Sequence, residues 1–130
     1  MKTSELKLGQ VTWECVHFCE VTSISEISES MPDGFSVFKT DFGIATSKER
    51  LLAAVAEAMS FPDYFGMNWD ALDESLGDLP KASGYVLIAS GSEKLWQHNP
   101  RLAASFLESW CCAAEGWADA GVPFHLVFVW

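Results

Sequence analysis

The sequence has few basic residues, and a long stretch in its middle has none. Eight Lys and Arg stand against 18 Asp and Glu, which gives a formal net charge of −10, and neither Lys nor Arg occurs between Arg50 and Lys81. Such a surface repels phosphate, so we do not expect direct binding of nucleic acid. It attracts basic proteins over long distances. Acidity also serves simple solubility, and charge alone does not decide between these two interpretations.

Long apolar runs are also missing. No window contains the roughly 18 consecutive apolar residues that a membrane span needs. Residues 1–10 carry scattered charges in place of the apolar core of a signal peptide. We therefore expect a cytoplasmic protein without a membrane partner. The 130 residues, 49% of them hydrophobic, suit one domain with a substantial core.

The four cysteines do not form a pattern typical of a disulfide framework or a zinc site. Cys111 and Cys112 are adjacent, no C-x-x-C pair occurs, and no His lies at zinc-finger spacing. His17 between Cys15 and Cys19 leaves a weak metal site open, but reduced and partly buried thiols are the simpler interpretation. We expect neither a metal nor a cofactor.

The distribution of apolar residues predicts four strands in an α/β fold. Residues 10–21 and 35–41 are rich in residues that favour strands, and 84–90 and 122–130 are continuous apolar runs typical of strands buried on both faces. Helical segments separate the last three strands. Helical crossovers between buried strands imply a parallel sheet with right-handed connections.

Three helices are predicted from their first residues. Thr46 and Glu49 have the spacing of a capping box for the first helix. Asn68 is the expected N-cap of the second helix. Asn99 followed by Pro100 is a favourable start for the third and longest helix.

The segment FPDYFGMNWDALDESLGDL, residues 61–79, concentrates acidic and aromatic side chains without a single base. On a helix that follows Asn68, the carboxylates of Asp70, Asp73 and Glu74 share one face, which we call the acidic face. Like charges at this spacing destabilise a helix by roughly 0.2–0.5 kcal/mol per pair. Gly77 is the predicted residue after the helix end. The apolar stripe on the opposite side consists of Trp69, Leu72 and Leu76.

Three interpretations of the acidic face stay open on spacing alone. It is a solvated helix surface, a pair of catalytic carboxylates, or a surface that binds a basic pocket. Catalysis is the least favoured, because acids on one convex face should all stay ionised and no G-x-S-x-G or calcium-loop motif occurs. We predict no catalytic residue and no enzyme activity. Carboxylates on a rigid helix are well suited to charge-assisted bonds with arginines.

The stretch PDYFGMNWDALDESL, residues 62–76, resembles the barstar family of intracellular ribonuclease inhibitors. The resemblance rests on Pro, an acid, Tyr, an aromatic and Gly, followed after one residue by Asn, an apolar residue and Asp-Ala-Leu. It implies a barstar-like α/β domain over residues 35–130, with a small three-stranded parallel sheet packed by helices. Residues 1–34 then form an N-terminal extension that packs on the domain, adding a strand at the sheet edge or covering it.

The resemblance also implies which residues meet the partner. Tyr64 corresponds to a contact tyrosine in the loop before the helix, and Gly66 to the glycine that shapes this loop. Asn68 and Asp70 correspond to contact residues at the helix start. Glu74 corresponds to the acid that enters the nuclease active site in place of substrate phosphate.

Two departures from the family pattern concern the partner. Glu74 is one methylene longer than the family's aspartate, and Asp73 replaces an aromatic. Both imply a pocket of different shape or one with more arginines, and Glu115 is a further candidate contact. The expected protein is a bacterial immunity protein, paired with a basic ribonuclease or nuclease toxin in a toxin–antitoxin relationship. The sequence does not determine its oligomeric state, and a monomer is the favoured interpretation. The alternative is an acidic interaction module for a basic partner that is not a nuclease.

Overall fold

The computed structural model describes residues 9, 15–20, 24–29, 31–62 and 65–130. Strands and helices alternate over most of this part of the chain. In chain order they are β1 (Val16–Cys19), α1 (Ile24–Glu29), β2 (Phe35–Asp41), a 3-10 helix (Phe42–Ile44), α2 (Lys48–Ala58), α3 (Trp69–Gly77), β3 (Gly84–Ser90), α4 (Ser92–His98), α5 (Pro100–Asp119) and β4 (Phe124–Val129).

The four strands form one parallel sheet in the order β1-β4-β3-β2. Leu87 of β3 lies opposite Phe38 of β2 on one side and opposite Leu126 of β4 on the other. Residues 124–129 of β4 are all buried, which explains the continuous apolar run in the sequence. The predicted barstar-like α/β fold, with its small parallel sheet and additional N-terminal strand, is confirmed.

The N-terminal strand is shorter in the structure than in the prediction. β1 spans Val16–Cys19 and pairs with β4, so that Val16 lies opposite Leu126. His17 and Cys19 are buried on one face of the sheet, whereas Phe18 points to the other face, where it is 45% exposed and packs on Phe128 and Trp96. The predicted strand residues 10–14 and 21 lie outside the described residues.

The sheet has a core on each face. The main core lies between the sheet and helices α2 to α5, and includes the fully buried side chains of Leu52, Leu72, Phe106 and Trp110. The alternate residues of the strands point to the other face, where α1 supplies Ile27. That second, smaller cluster consists of Cys19, Ile27, Val86, Ile88, Val127 and Val129.

Two predicted helix boundaries are wrong. Ser47, rather than Thr46, is the N-cap of α2, and its side chain accepts a hydrogen bond from the Arg50 N–H at 3.2 Å. Both neighbouring residues have a suitable hydroxyl, but the Thr46 N–H bonds to the Ile44 carbonyl at 3.0 Å, and Ser47 is the residue with the extended backbone of an N-cap. Gly77 is the last residue of α3 rather than the residue after it, because the N–H of Asp78 still bonds within the last turn.

None of the helices in the described ranges combines the length and the apolar character required to cross a bilayer.

Candidate functional site: the acidic face of α3

Helix α3 begins where the sequence predicts. Asn68 has an extended backbone, and its Oδ1 accepts a hydrogen bond from the Ala71 N–H at 2.8 Å. This bond satisfies one of the amide groups that have no partner inside the helix. The first turn also holds Asp70, whose charge is favourable near the positive end of the helix dipole.

Burial fixes the orientation of α3. Leu72 and Leu76 are completely buried and Trp69 is half-buried, so the predicted apolar stripe faces the main core. The opposite surface therefore faces solvent, and its three carboxylates are all exposed. The residues of this acidic face are Asp70, Asp73 and Glu74.

The C-terminal half of α3 is held by α5. The indole Nε1 of Trp117 donates a hydrogen bond to the Leu76 carbonyl at 2.9 Å. The Trp117 ring also packs on Tyr85 with their centroids 4.9 Å apart, and the Tyr85 hydroxyl donates to the Pro80 carbonyl. Both ends of α3 are thus fixed, and the acidic face is presented on a rigid element, which lowers the entropic cost of binding.

The loop before α3 is compact where the structure describes it. The Phe65 N–H donates to the Pro62 carbonyl at 2.9 Å, and the rings of Phe61 and Phe65 lie 5.1 Å apart. A Cβ at Gly66 would lie 3.1 Å from Nδ2 of Asn68, so a glycine leaves room for the capping amide. Tyr64, the remaining predicted contact residue, lies outside the described residues.

Two depressions flank α3, and the sequence did not reveal either. The first, a cavity of about 240 Å³, lies between the loop and α3 and is lined on the helix side by Ala71, Glu74, Ser75 and Asp78. The second is a groove of about 500 Å³ between α3 and α5, bordered by Asp73. Both depressions arise from tertiary packing. The spacing of four residues between Ala71 and Ser75 shows only that these two side chains share one flank of the helix.

Glu115, the further candidate contact, lies apart from these depressions. Glu115 is exposed on α5 and does not line the groove beside α3. Other residues of α5, close to it in the helix, do so. Those residues are Cys112, Ala113, Gly116, Trp117 and Ala120.

The histidines are not arranged as partners for the acidic face. His17 and His125 are buried, and Nε2 of the first lies 2.9 Å from Nδ1 of the second. Burial, and secondarily the charge of His125, lowers the pKa of His17 to about 4. This pair therefore joins β1 to β4 on the face of the sheet that carries the smaller core. His98 is exposed at the end of α4.

The cysteines are free thiols in the structure. Burial, and secondarily the neighbouring Cys111 thiol, raises the pKa of Cys15 to about 11, which keeps its thiol protonated at neutral pH. Cys19 is buried in the smaller core. Within the described part of the chain, no three His, Cys, Asp or Glu side chains are grouped so that they could hold a metal ion.

A small parallel sheet packed by helices, one of which presents an acidic outer face, defines the class of this protein as an α/β domain. Residues 35–129 match the family model described as Barstar (barnase inhibitor). This match covers most of the chain, and the protein belongs to the Barstar family. Members of this family are inhibitors rather than enzymes, and membership implies a ribonuclease as the class of partner. A comparison with curated proteins finds no match.

Proposed function

We propose that the protein inhibits a basic ribonuclease by covering its active site with the acidic face of α3. The observation that carries this proposal is the set of three exposed carboxylates on α3. This helix is capped by Asn68, buries its opposite side in the core, and belongs to a chain of the Barstar family. No Lys or Arg occurs in residues 51–80 to neutralise them.

Electrostatics explains how such a surface would select its partner. A ribonuclease active site holds RNA phosphates, so it carries positive charge. The net charge of −10 attracts such a site over distances of up to about one Debye length, roughly 8 Å at physiological ionic strength. Once the surfaces meet, carboxylates can form charge-assisted bonds with the arginines and lysines that normally bind phosphate. The protein performs no chemistry, and inhibition follows from occupation of the substrate site.

The residues have distinct roles in this proposal. Glu74, in the second turn of α3, takes the position of a substrate phosphate. Asp70 and Asp73 lie beside it and contact further basic groups around the pocket. Asn68 and Gly66 fix the helix start and the loop, and Tyr64 supplies an aromatic contact. An interface of ordinary size would bury on the order of 1,600 Å² in total.

The partner pocket should carry more positive charge than one that accepts a single acid. Asp73 and Glu74 are both exposed, Asp73 beside the groove next to α5 and Glu74 beside the cavity next to the loop, so the partner meets one carboxylate toward each flank of α3. Leaving either of them unpaired in a closed interface would be costly. We therefore expect at least two basic side chains of the ribonuclease at this position.

The test is the combined substitution Asp70→Ala and Glu74→Ala. Co-purification from the native cell, with priority to products of neighbouring genes, identifies the partner, and an RNA degradation assay measures its inhibition. The double variant should lose at least about a hundredfold in affinity, since each charged hydrogen bond is worth roughly 1.5–3 kcal/mol. Glu49→Ala with Glu108→Ala is the matched control, because it removes two exposed carboxylates from α2 and α5.

The outcomes separate the possible functions. Unchanged binding by the α3 double variant would show that the acidic face is not the contact surface. Recovery of a basic partner that does not degrade RNA would favour an interaction module for a different protein. Turnover of a substrate that is lost with Asp70 or Glu74 would instead indicate an enzyme.

A further inference from the structure

A cavity beside the acidic face has no role in the proposal above. Its volume is about 240 Å³, and it lies between residues 59–62 and 65–66 on one side and the flank of α3 on the other. Met59 and Leu79 are buried and form its bottom, whereas Glu74 and Asp78 are exposed at its mouth. Apolar walls on the loop side and carboxylates on the helix side therefore face the same space.

The size of the cavity limits its occupant. Pockets for drug-sized ligands measure roughly 300–1,000 Å³, and this cavity is smaller. It suits one long side chain that enters from outside. Because its lower part is apolar and its mouth is acidic, that side chain needs an aliphatic stem and a cationic head.

Asp78 has no local structural reason to be acidic. It is the residue at the C-terminal end of α3, where the helix dipole is negative and a carboxylate is unfavourable. Glu74 lies four residues before it, so the two like charges are neighbours on the helix surface. Among the described residues that line the cavity there is no Lys or Arg, and Lys81 follows the lining residue Pro80. A cation supplied by a partner would offset both unfavourable effects.

We propose that this cavity receives an arginine side chain of the partner, whose guanidinium lies between the carboxylates of Glu74 and Asp78. Arginine fits better than lysine because its planar group donates to two carboxylates at once and its flat face packs on the rings of Phe61 and Phe65. The inference rests on the proposed function for the identity of the partner. It adds Asp78 and Ser75 to the contact surface.

The cavity can be tested without the partner. N-acetyl-L-arginine amide is titrated into the ¹⁵N-labelled full chain, with N-acetyl-L-norleucine amide as the apolar probe of similar length. The arginine probe should cause saturable amide shifts concentrated in residues 59–61 and 71–79. Asp78→Asn should weaken this binding several-fold, and the control Glu49→Gln on α2 should not. Absence of saturable shifts, or equal affinity of the wild type and Asp78→Asn, would overturn the inference.

The partner complex gives the second measurement. Asp78→Asn should weaken binding of the inhibited ribonuclease about tenfold, the effect of one charged hydrogen bond. Ser75→Met should also weaken it, because the longer side chain enters the cavity. Asp78→Asn keeps the side-chain shape and removes a charge that is unfavourable at the end of the helix, so it should not destabilise the fold. Its effect on binding can therefore be interpreted even if Ser75→Met lowers the melting temperature.

The results distinguish failure of this inference from failure of the proposed function. If Asp70→Ala with Glu74→Ala abolishes binding while Asp78→Asn and Ser75→Met do not change it, the inhibitor function stands and the arginine site is wrong. If the wild type inhibits no ribonuclease, the proposed function fails, and the arginine titration still decides whether the cavity binds a guanidinium.

Discussion

Nε1 of Trp117 lies 2.9 Å from the carbonyl oxygen of Leu76, and the two residues are separated by 41 positions in the chain. The last carbonyls of a helix have no partner inside it, so this indole satisfies one such group near the end of α3. The bond also joins α5 to the helix that carries the acidic face. The position of Asp73 and Glu74 therefore depends on a side chain far away in sequence.

Trp117→Phe should lower the free energy of unfolding by about 1–2 kcal/mol, because the Leu76 carbonyl loses its donor and some packing is lost. Trp96→Phe is the matched control. Its Nε1 is buried and has no hydrogen-bond partner among the described residues, so only packing changes. Urea unfolding of both variants at one pH measures the difference. Equal losses would show that the bond to Leu76 contributes nothing to stability.

Asn68→Ala should destabilise the protein by about 1 kcal/mol, since the Ala71 N–H loses its acceptor. Ser47→Ala removes the corresponding cap from α2 and should cost a similar amount. The two substitutions should differ in ribonuclease binding, because only Asn68 lies at the acidic face. Urea unfolding and inhibition assays on both variants provide the comparison. Equal effects on inhibition would contradict a specific role for the start of α3.

Gly77→Ala should stabilise the protein by up to about 1 kcal/mol. Gly77 is helical, and a Cβ built on it meets no atom within 4 Å. Gly116→Ala in α5 is the control, because that position is also helical and open. Thermal unfolding should show a gain in both variants. A loss in Gly77→Ala would show that α3 needs the freedom of glycine at its end.

The sequence predicts those features of the site that depend on local spacing. Asn68 and the stripe that includes Leu72 define where α3 begins and which side it buries, so the exposure of the acids follows from helical periodicity. The strands β3 and β4 were predictable because burial on both faces leaves a continuous apolar run. These inferences need no knowledge of distant contacts.

Features that depend on packing between distant segments were not predictable. The bond from Trp117 to Leu76 joins two helices whose relative position follows only from the whole sheet. The cavity near Asp78 exists because the loop after α2 folds against α3. The choice of Ser47 over Thr46 as a cap was not predictable either, since both residues are chemically suitable and only the backbone conformation of Ser47 distinguishes them.

The buried pair of His17 and His125 predicts how stability depends on pH. Their hydrogen bond needs one unprotonated nitrogen, so the two rings cannot both be charged while it persists. Burial first, and His125 second, lowers the pKa of His17 from 6.5 to about 4. The unfolded chain therefore binds a proton more readily than the folded one between these values. The contribution of His17 is complete above pH 6.5 and is lost as the pH falls toward 4.

Acidification from pH 7.5 to 4.5 should accordingly lower the free energy of unfolding by up to about 3 kcal/mol through His17. His17→Gln removes this titration, so the variant should lose less stability over the same interval than the wild type. His98→Gln, at an exposed position, is the control and should behave as the wild type. Urea unfolding at both pH values measures the change in the free energy of unfolding for each of the three proteins. Because His17 lies in β1, the protection factors for amide hydrogen exchange, which correct for the slower intrinsic exchange at pH 4.5, should fall in Val16–Cys19 more than in β3, and a uniform fall would contradict a local effect of the pair.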